Sequence, residues 1–445
     1  METSLDAGNV SMQRTKLTSP FDAYDPPTRR SRTRPRTLRT AAPLLAVALV
    51  AQLAACDRAG DPAATAPGPD DPALAAQGPL NPAIVAEGKS IFRFDTFGDE
   101  TFWTDTLRMH EVIRTAVSPT TALSVGLKVD ADALPAAVKA GILDGSIDLD
   151  SPATTVALLE LDAVLGVVGE VDADDRLTRV GVTCALCHST VDNSFAPGIG
   201  SRLDGWPNRD LNVGAIVALS PTPTAAQKAV YNSWGPGMYD PRFNIDGKNI
   251  PVVIPPAFGL RHVKRELYTG DDDVSYWNAY VAITQMHGHG RFVDERIGVD
   301  VSNPPDLVSS KLDALRAYQF SLRAPRPRPG TFDAAAAKRG RAVFDGAARC
   351  ASCHLGGALT DVNANRLHSP AEVGQDPAYA QRSVTKLYRT TPLRGLWNPP
   401  QLRGPYFHDG HAGTLEEVVA HYVERLGVSL TPRQRADLVE YLKTL

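Results

Sequence analysis

Sulfur is scarce in this chain. Five cysteines and five methionines serve 445 residues. Four of the cysteines fall in two copies of one pattern, Cys184-Ala-Leu-Cys187-His188 and Cys350-Ala-Ser-Cys353-His354. Only Cys56 is left over, so no disulfide framework is available. No methionine follows Met286, and the last part of the chain therefore has no thioether to offer a metal. A strong excess of one charge is also missing: 46 basic residues stand against 50 acidic ones, which excludes the basic surface that nucleic acid requires. The longest apolar run is Ala41–Ala55, shorter than the roughly 20 residues that cross a bilayer as a helix.

What the cysteines do form is specific. Two thiols three residues apart can add across the vinyl groups of one haem, and the adjacent His then reaches the iron as its proximal ligand. Each run is read as a c-type haem attachment site. Cys184, Cys187, Cys350 and Cys353 bind the cofactor covalently, and His188 and His354 are iron ligands. A zinc site is the competing reading of such a pair, and two C-x-x-C-H runs in one chain make it the poorer one. Two covalently bound c-type haems imply redox chemistry and an extracytoplasmic compartment.

The N-terminal sequence agrees with export. Arg29 to Arg39 is basic and Ala41 to Ala55 is apolar, the layout of a secretory signal. Leu53-Ala54-Ala55-Cys56 resembles a lipobox, which predicts a lipoprotein-type signal peptide over 1–55 and lipidation of Cys56. An uncleaved N-terminal anchor is the alternative. The expected product is a periplasmic lipoprotein that meets the membrane through its lipid anchor only. Residues 56–83 are Ala, Pro, Asp and Gly with few large apolar side chains, a disordered linker. Without residues 1–55 the chain carries 38 basic and 46 acidic residues, a formal charge of −8. That balance suits a small basic redox protein as electron donor, or a neutral substrate, and not nucleic acid.

The remainder reads as mainly α: two cytochrome c-like domains, each carrying one covalent haem. The N-terminal haem domain is placed at 84–325 and the C-terminal cytochrome c domain at 331–445, joined by the proline-rich Arg323–Gly330. Ala133–Leu143, Thr154–Val164 and Leu312–Leu322 are helical candidates, and Pro119 is read as a helix break. Asn193–Asp210 has the turn composition of a loop along a haem edge. Tyr276, Trp277, Tyr280 and Ile283 fall at helical spacing. Asp271-Asp272-Asp273 before them is a solvated turn or, as a minority reading, a Ca2+ site. At the C-terminus Thr431-Pro-Arg-Gln434 is a capping box with Pro at its first helical position.

Thr391-Pro-Leu-Arg-Gly-Leu-Trp-Asn-Pro-Pro-Gln-Leu-Arg-Gly-Pro-Tyr-Phe-His408-Asp-Gly410, followed by Thr414-Leu-Glu-Glu417, resembles the second domain of bacterial di-haem cytochrome c peroxidases and MauG-type enzymes. The resemblance covers about the last 115 residues and, in the first domain, only Cys184–His188. It implies reduction of hydrogen peroxide at the N-terminal haem, with electrons relayed through the C-terminal haem. His188 would be proximal to the reactive iron, and His408 would structure the second haem pocket. The family's Phe-Trp-Asp-Gly-Arg and Asn-Pro-Ile-Glu segments are absent. Asp204-Gly-Trp206 is a loose echo of the first, and no acid equivalent to the Glu is assignable. A non-catalytic electron-transfer cytochrome and a di-haem oxygenase similar to rubber oxygenases are the alternatives.

The axial ligands follow from the same scarcities. After His188 the next His is His262, and only Met109, Met238 and Met286 are available as thioethers, so the N-terminal haem is expected to be open or weakly ligated. For the C-terminal haem, family spacing from His408 leads to Tyr422, where MauG-type enzymes place a ligating Tyr. Tyr422 is the first choice as metal ligand, His421 the second, with His411 and His368 behind.

Overall fold

The computed structural model describes residues 78–397, 399 and 402–445. The signal-like segment 1–55, Cys56 and the linker through residue 77 lie outside the described residues. The structure is mainly helical, with 42% helix and 11% strand, and all described residues fall within one compact unit.

The first helix, Pro82–Phe94, starts two residues before the expected domain boundary. Asn81 caps it by accepting from the Ala83 amide at 2.9 Å, and Pro82 fills a first-turn position where a missing N–H costs nothing. Pro119 acts the same way: it opens the helix Pro119–Ser124 behind the Ser118 cap rather than breaking one. The aromatic spans wind partly as π-helix, over Thr101–Thr106 and over Val281–Gln285, which continues the helix Val274–Tyr280. Strand is confined, among the described residues, to two-stranded ribbons. The ribbon of Val167–Val171 with Leu177–Val182 delivers the chain to Cys184, and buried Asp99 accepts from the Val182 amide at 3.1 Å.

Two helix pairs carry the frame: Pro82–Phe94 against Leu312–Ser321, and Ala334–Asp345 against Pro432–Leu442. The two crossings match in detail. In each, a glycine of the first helix meets a carbonyl of the second so closely that a Cβ would stand 1.8 Å from the oxygen, Gly88 on Ala314 and Gly340 on Asp437. One turn further on, Phe92 and Phe344 are almost fully buried and meet Tyr318 and Tyr441 edge-on, with centroids 5.4 and 5.2 Å apart. Such aromatic pairs add about 0.5–1.5 kcal/mol beyond burial. Cys184 and Cys187 pack on the core around the first pair, and Cys350 on the core around the second.

Buried ion pairs tie the N-terminal and C-terminal parts together across the Arg323–Gly330 linker. Arg382 reaches Asp240 and Asp246 at 3.0 and 2.7 Å, and Arg389 reaches Glu266 at 3.0 Å. The Val253 amide donates to the His408 carbonyl at 2.8 Å. Charged groups are found inside when they are paired, so these contacts fix one part against the other.

The glycine crossings give a sign test. Gly→Ala in a helix ordinarily gains up to about 1 kcal/mol, whereas a Cβ 1.8 Å from a carbonyl oxygen forces the backbones apart. Gly88→Ala and Gly340→Ala are each expected to lose roughly 1–3 kcal/mol, measured by denaturant unfolding. A stabilised variant would show that the helices slide apart freely.

Candidate haem-binding sites

Cys184 caps a single turn, Ala185–His188. The turn is set by Thr183, whose amide donates to the Gly166 carbonyl and whose hydroxyl donates to the Arg93 carbonyl. Gly166 has φ 76°, and the Leu186 nitrogen lies 2.0 Å from where its Cβ would be, so no side chain fits there. His188 Nδ1 lies 3.1 Å from the Pro255 carbonyl oxygen. A carbonyl can only accept, so Nδ1 carries the proton and Nε2 keeps a bare lone pair, the tautomer an iron ligand needs. Burial pushes the His188 pKa down to about 4 and both neighbouring thiols up to about 12. At neutral pH the site holds a neutral imidazole and two protonated thiols.

The second motif repeats the device. His354 Nδ1 donates to the Leu359 carbonyl at 2.9 Å, which leaves Nε2 free. Burial pushes the His354 pKa down and the Cys350 thiol up to about 11. The donor sets at both places fit a covalent haem with a histidine on its iron.

Behind His188 lies a polar hub around Asp204. It accepts from Arg93 at 2.6 Å, Arg202 at 2.9 Å, Ser189 at 2.7 Å and the Tyr318 hydroxyl at 2.5 Å. Burial alone would raise its pKa, but Arg202, Tyr318 and Arg93 outweigh that and hold it low. The next residue, Gly205, donates its amide to the His188 carbonyl and accepts from the Ala257 amide, both at 2.8 Å. Trp206 meets Phe258 with centroids 6.3 Å apart. Phe258 in turn packs on Gly395, whose Cβ would stand 2.9 Å from the ring. Beside Gly395, Arg394 donates to the Gly357 carbonyl at 3.0 Å, in the loop between His354 and Leu359. An aromatic pair therefore bridges from one motif to the loop that holds the other histidine.

Tyr422 lies on the helix Leu415–Arg425, opened by the Thr414/Glu417 capping box. Leu415, Val419 and Val423 form its buried face, and Tyr422 sits beside them, with Phe407 and His421 at 5.8 and 5.0 Å. Burial first, then the Cys353 and Cys350 thiols, pushes its pKa up to about 12, which puts its hydroxyl on the side of the second motif. His421 is directed elsewhere, with Nε2 2.9 Å from the Val373 carbonyl. Buried His368 is held between Asp361 at 3.0 Å and Glu372 at 2.8 Å. Both its nitrogens face carboxylates, the geometry of an imidazolium, which has no lone pair for iron. Cys353, Asp361 and His368 group within 4.8 Å, a cluster that shares Cys353 with the haem motif. Exposed His411 leans on Asp409 at 2.6 Å and stacks on Phe407.

His408 sits where several chain segments meet. It is buried, with Nε2 3.0 Å from the Tyr388 hydroxyl and Nδ1 3.1 Å from Gln375 Oε1, and its ring lies over Tyr379. Both nitrogens are engaged, so it acts as a tie between chain segments. The three aspartates also part company. Asp271 pairs with Arg242 at 3.2 Å, Asp273 caps the helix Val274–Tyr280, and among the described residues they form no metal-like group. A Ca2+ site is not supported.

On the N-terminal side, Met109 and Met286 are buried in the core. His287 is stacked on Phe102 at 3.7 Å, and burial pushes its pKa down to about 4. It lines a cavity of about 220 Å3 together with Phe102, Trp103, Tyr231, Trp234 and Phe243. The cavity also touches Tyr239, whose hydroxyl donates to Gln285 at 2.7 Å.

Residues 337–445 match the cytochrome c family model. With the histidine tautomers and paired thiols above, this defines a c-type cytochrome that binds haem covalently. The chain is 28% identical over 295 residues to the methylamine utilization protein MauG of Methylorubrum extorquens, covering 61% of this chain and 75% of that one. It is 29% identical over 293 residues to MauG of Methylophilus methylotrophus, covering 61% and 79%. Over 181 residues it is 29% identical to the cytochrome-c peroxidase IdrP1 of Denitromonas iodatirespirans, covering 30% and 48%. These relatives and the cytochrome c match support a di-haem cytochrome c peroxidase and MauG-type superfamily for the chain.

Mass spectrometry of protein matured in a c-type haem assembly strain should count two haems per chain. In Cys184→Ala the N-terminal haem should lose stable attachment while the C-terminal one remains. Retention of both would detach Cys184 from the cofactor.

Proposed function

We propose that this chain is a periplasmic, lipid-anchored di-haem peroxidase, in which the N-terminal haem meets hydrogen peroxide and the C-terminal haem relays electrons from a small redox protein. The observation that carries the two-haem reading is the duplicated frame. Each C-x-x-C-H run adjoins a glycine-locked helix crossing, and each of its histidines has Nδ1 committed to a backbone carbonyl. A bound haem supplies a one-electron iron couple at each site. His188 and His354 supply Nε2 to it.

The two halves differ on the other side of the iron. In the N-terminal half, Met109 and Met286 are spent on packing, which favours an open position for a small oxidant. His287, neutral at pH 7, is a base lining the aromatic cavity of this half. In the C-terminal half Tyr422 is the ligand candidate that its surroundings support best. Trp206 and Phe258 furnish the aromatic route between the motifs. The aromatic cavity favours a second reading, an oxygenase acting on an apolar substrate, because such a lining suits a hydrocarbon better than peroxide.

Turnover separates the readings. Peroxide consumption coupled to oxidation of a reduced donor, together with one high-spin ferric haem at rest, is the expected result. Dioxygen uptake with an unsaturated hydrocarbon and no peroxidase turnover would favour the oxygenase. Two fully low-spin haems and no turnover would make the protein an electron carrier.

Tyrosinate is an anionic oxygen donor and favours ferric iron. Tyr422→Phe should therefore alter the ferric spectrum and raise the midpoint of the C-terminal haem by on the order of 0.1 V, within the roughly 0.8 V range that axial ligands span. An unchanged spectrum and midpoint would return Tyr422 to packing.

A further inference from the structure

Among the described residues several buried or half-buried arginines have carboxylate partners, and Arg209, beside the N-terminal haem motif, has none. Arg202 meets Asp204, Arg242 meets Asp271, Arg382 meets Asp240 and Asp246, and Arg389 meets Glu266. Among the described residues Arg209 has no such partner. Its Nε and Nη1 are buried and bonded to nothing among the described residues. A guanidinium is always charged and has five N–H donors, and an unpaired charge inside a protein is strongly unfavourable. The position calls for an anion, and the planar fork of the side chain matches a carboxylate.

The backbone says which carboxylate. The amide of Asn208, the residue before Arg209, donates to the Cys187 carbonyl at 2.9 Å, and Gly205, four residues back, is bonded to the His188 carbonyl. On its far side the Arg209 carbonyl lies against Gly237, 2.8 Å from where a Cβ would stand. The charge reaches Tyr268 and Tyr406, and Tyr406 packs on the core that holds Cys350. Arg209 thus stands beside the N-terminal attachment site. The neighbouring acids Asp210 and Asp409 are committed elsewhere, to Lys128 at 2.7 Å and to His411 at 2.6 Å. A covalently held haem brings two propionates of its own.

We propose that Arg209 binds a propionate of the haem attached at Cys184 and Cys187, and that its charge sets the potential of that haem. The inference rests on the di-haem reading. A fixed positive charge beside the haem favours the ferrous state, which carries one positive charge fewer than the ferric. It also keeps the propionate ionised, so that haem reduction takes up no proton there.

Spectroelectrochemical titration of the matured protein tests this, after a pyridine haemochrome assay has counted the haems. In Arg209→Gln the midpoint of the N-terminal haem should fall by at least 59 mV, tenfold in a one-electron equilibrium. It should also gain a pH dependence that the wild type lacks, while the C-terminal midpoint stays in place. Arg209→Lys keeps the charge and loses the fork, so its midpoint should lie between the two. If the glutamine variant takes up no haem, the lysine variant decides alone, with an N-terminal midpoint below wild type expected. An N-terminal midpoint equal to wild type in the loaded variants, or a shift confined to the C-terminal haem, overturns the proposal. A haem count other than two overturns the di-haem reading instead.

Discussion

A hydrogen bond from histidine Nδ1 to a backbone carbonyl governs both motifs. It fixes the ring's tautomer, aims Nε2, and leaves that nitrogen with nothing to do except bind a metal. The two bonds are closed by very different lengths of chain. His354 reaches a carbonyl five residues away, so its ligand geometry is local and forms with the turn itself. His188 reaches Pro255, 67 residues on. Its orientation exists only once the intervening loops and ribbons have folded against the turn. The Asp204 hub reinforces that dependence, since Arg93 and Tyr318, from opposite ends of the N-terminal half, converge on the carboxylate next to Gly205.

The helix crossings supply the rigid base on which those bonds rest. A glycine against a carbonyl allows the closest approach that two helices can make, and the Phe–Tyr contact one turn away sets the rotation of one helix on the other. In the C-terminal half the partners, Gly340 and Asp437, lie 97 residues apart and enclose little more than one motif. In the N-terminal half Gly88 and Ala314 are separated by more than 220 residues, and everything between them has to be accommodated around the same crossing. The ribbons, the π-helical turns and the aromatic cavity all lie in that interval.

Local signals in the sequence carried much of this. The C-x-x-C-H runs, the capping boxes at Thr414 and Thr431, and the apolar face of the last helix are encoded within a few residues of one another, and the structure has the caps where the pattern puts them. Long-range partnerships were not legible. Nothing near His188 announces Pro255, and nothing near Gly88 announces Ala314. Nothing near His287 announces Phe102, some 180 residues earlier, which stacks on it. Pro119 misled for a related reason: proline ends a helix from within and opens one from its first turn, and only the Ser118 cap tells the two apart. His408 is marked by a specific run, but its partners Tyr388 and Gln375 are not legible from that run.

The buried arginine pairs across the Arg323–Gly330 segment also bear on how charge moves through the molecule. Arg382 on Asp240 and Asp246, and Arg389 on Glu266, cannot separate without exposing charges to an apolar interior, so the two parts do not hinge about their linker. On the proposed di-haem reading, two redox centres held in such a body would keep one separation and one mutual orientation through every turnover. Their exchange would then be a matter of tunnelling through a fixed medium, indifferent to solvent viscosity. The slow, diffusive part of the cycle would belong to the encounter with the external donor alone.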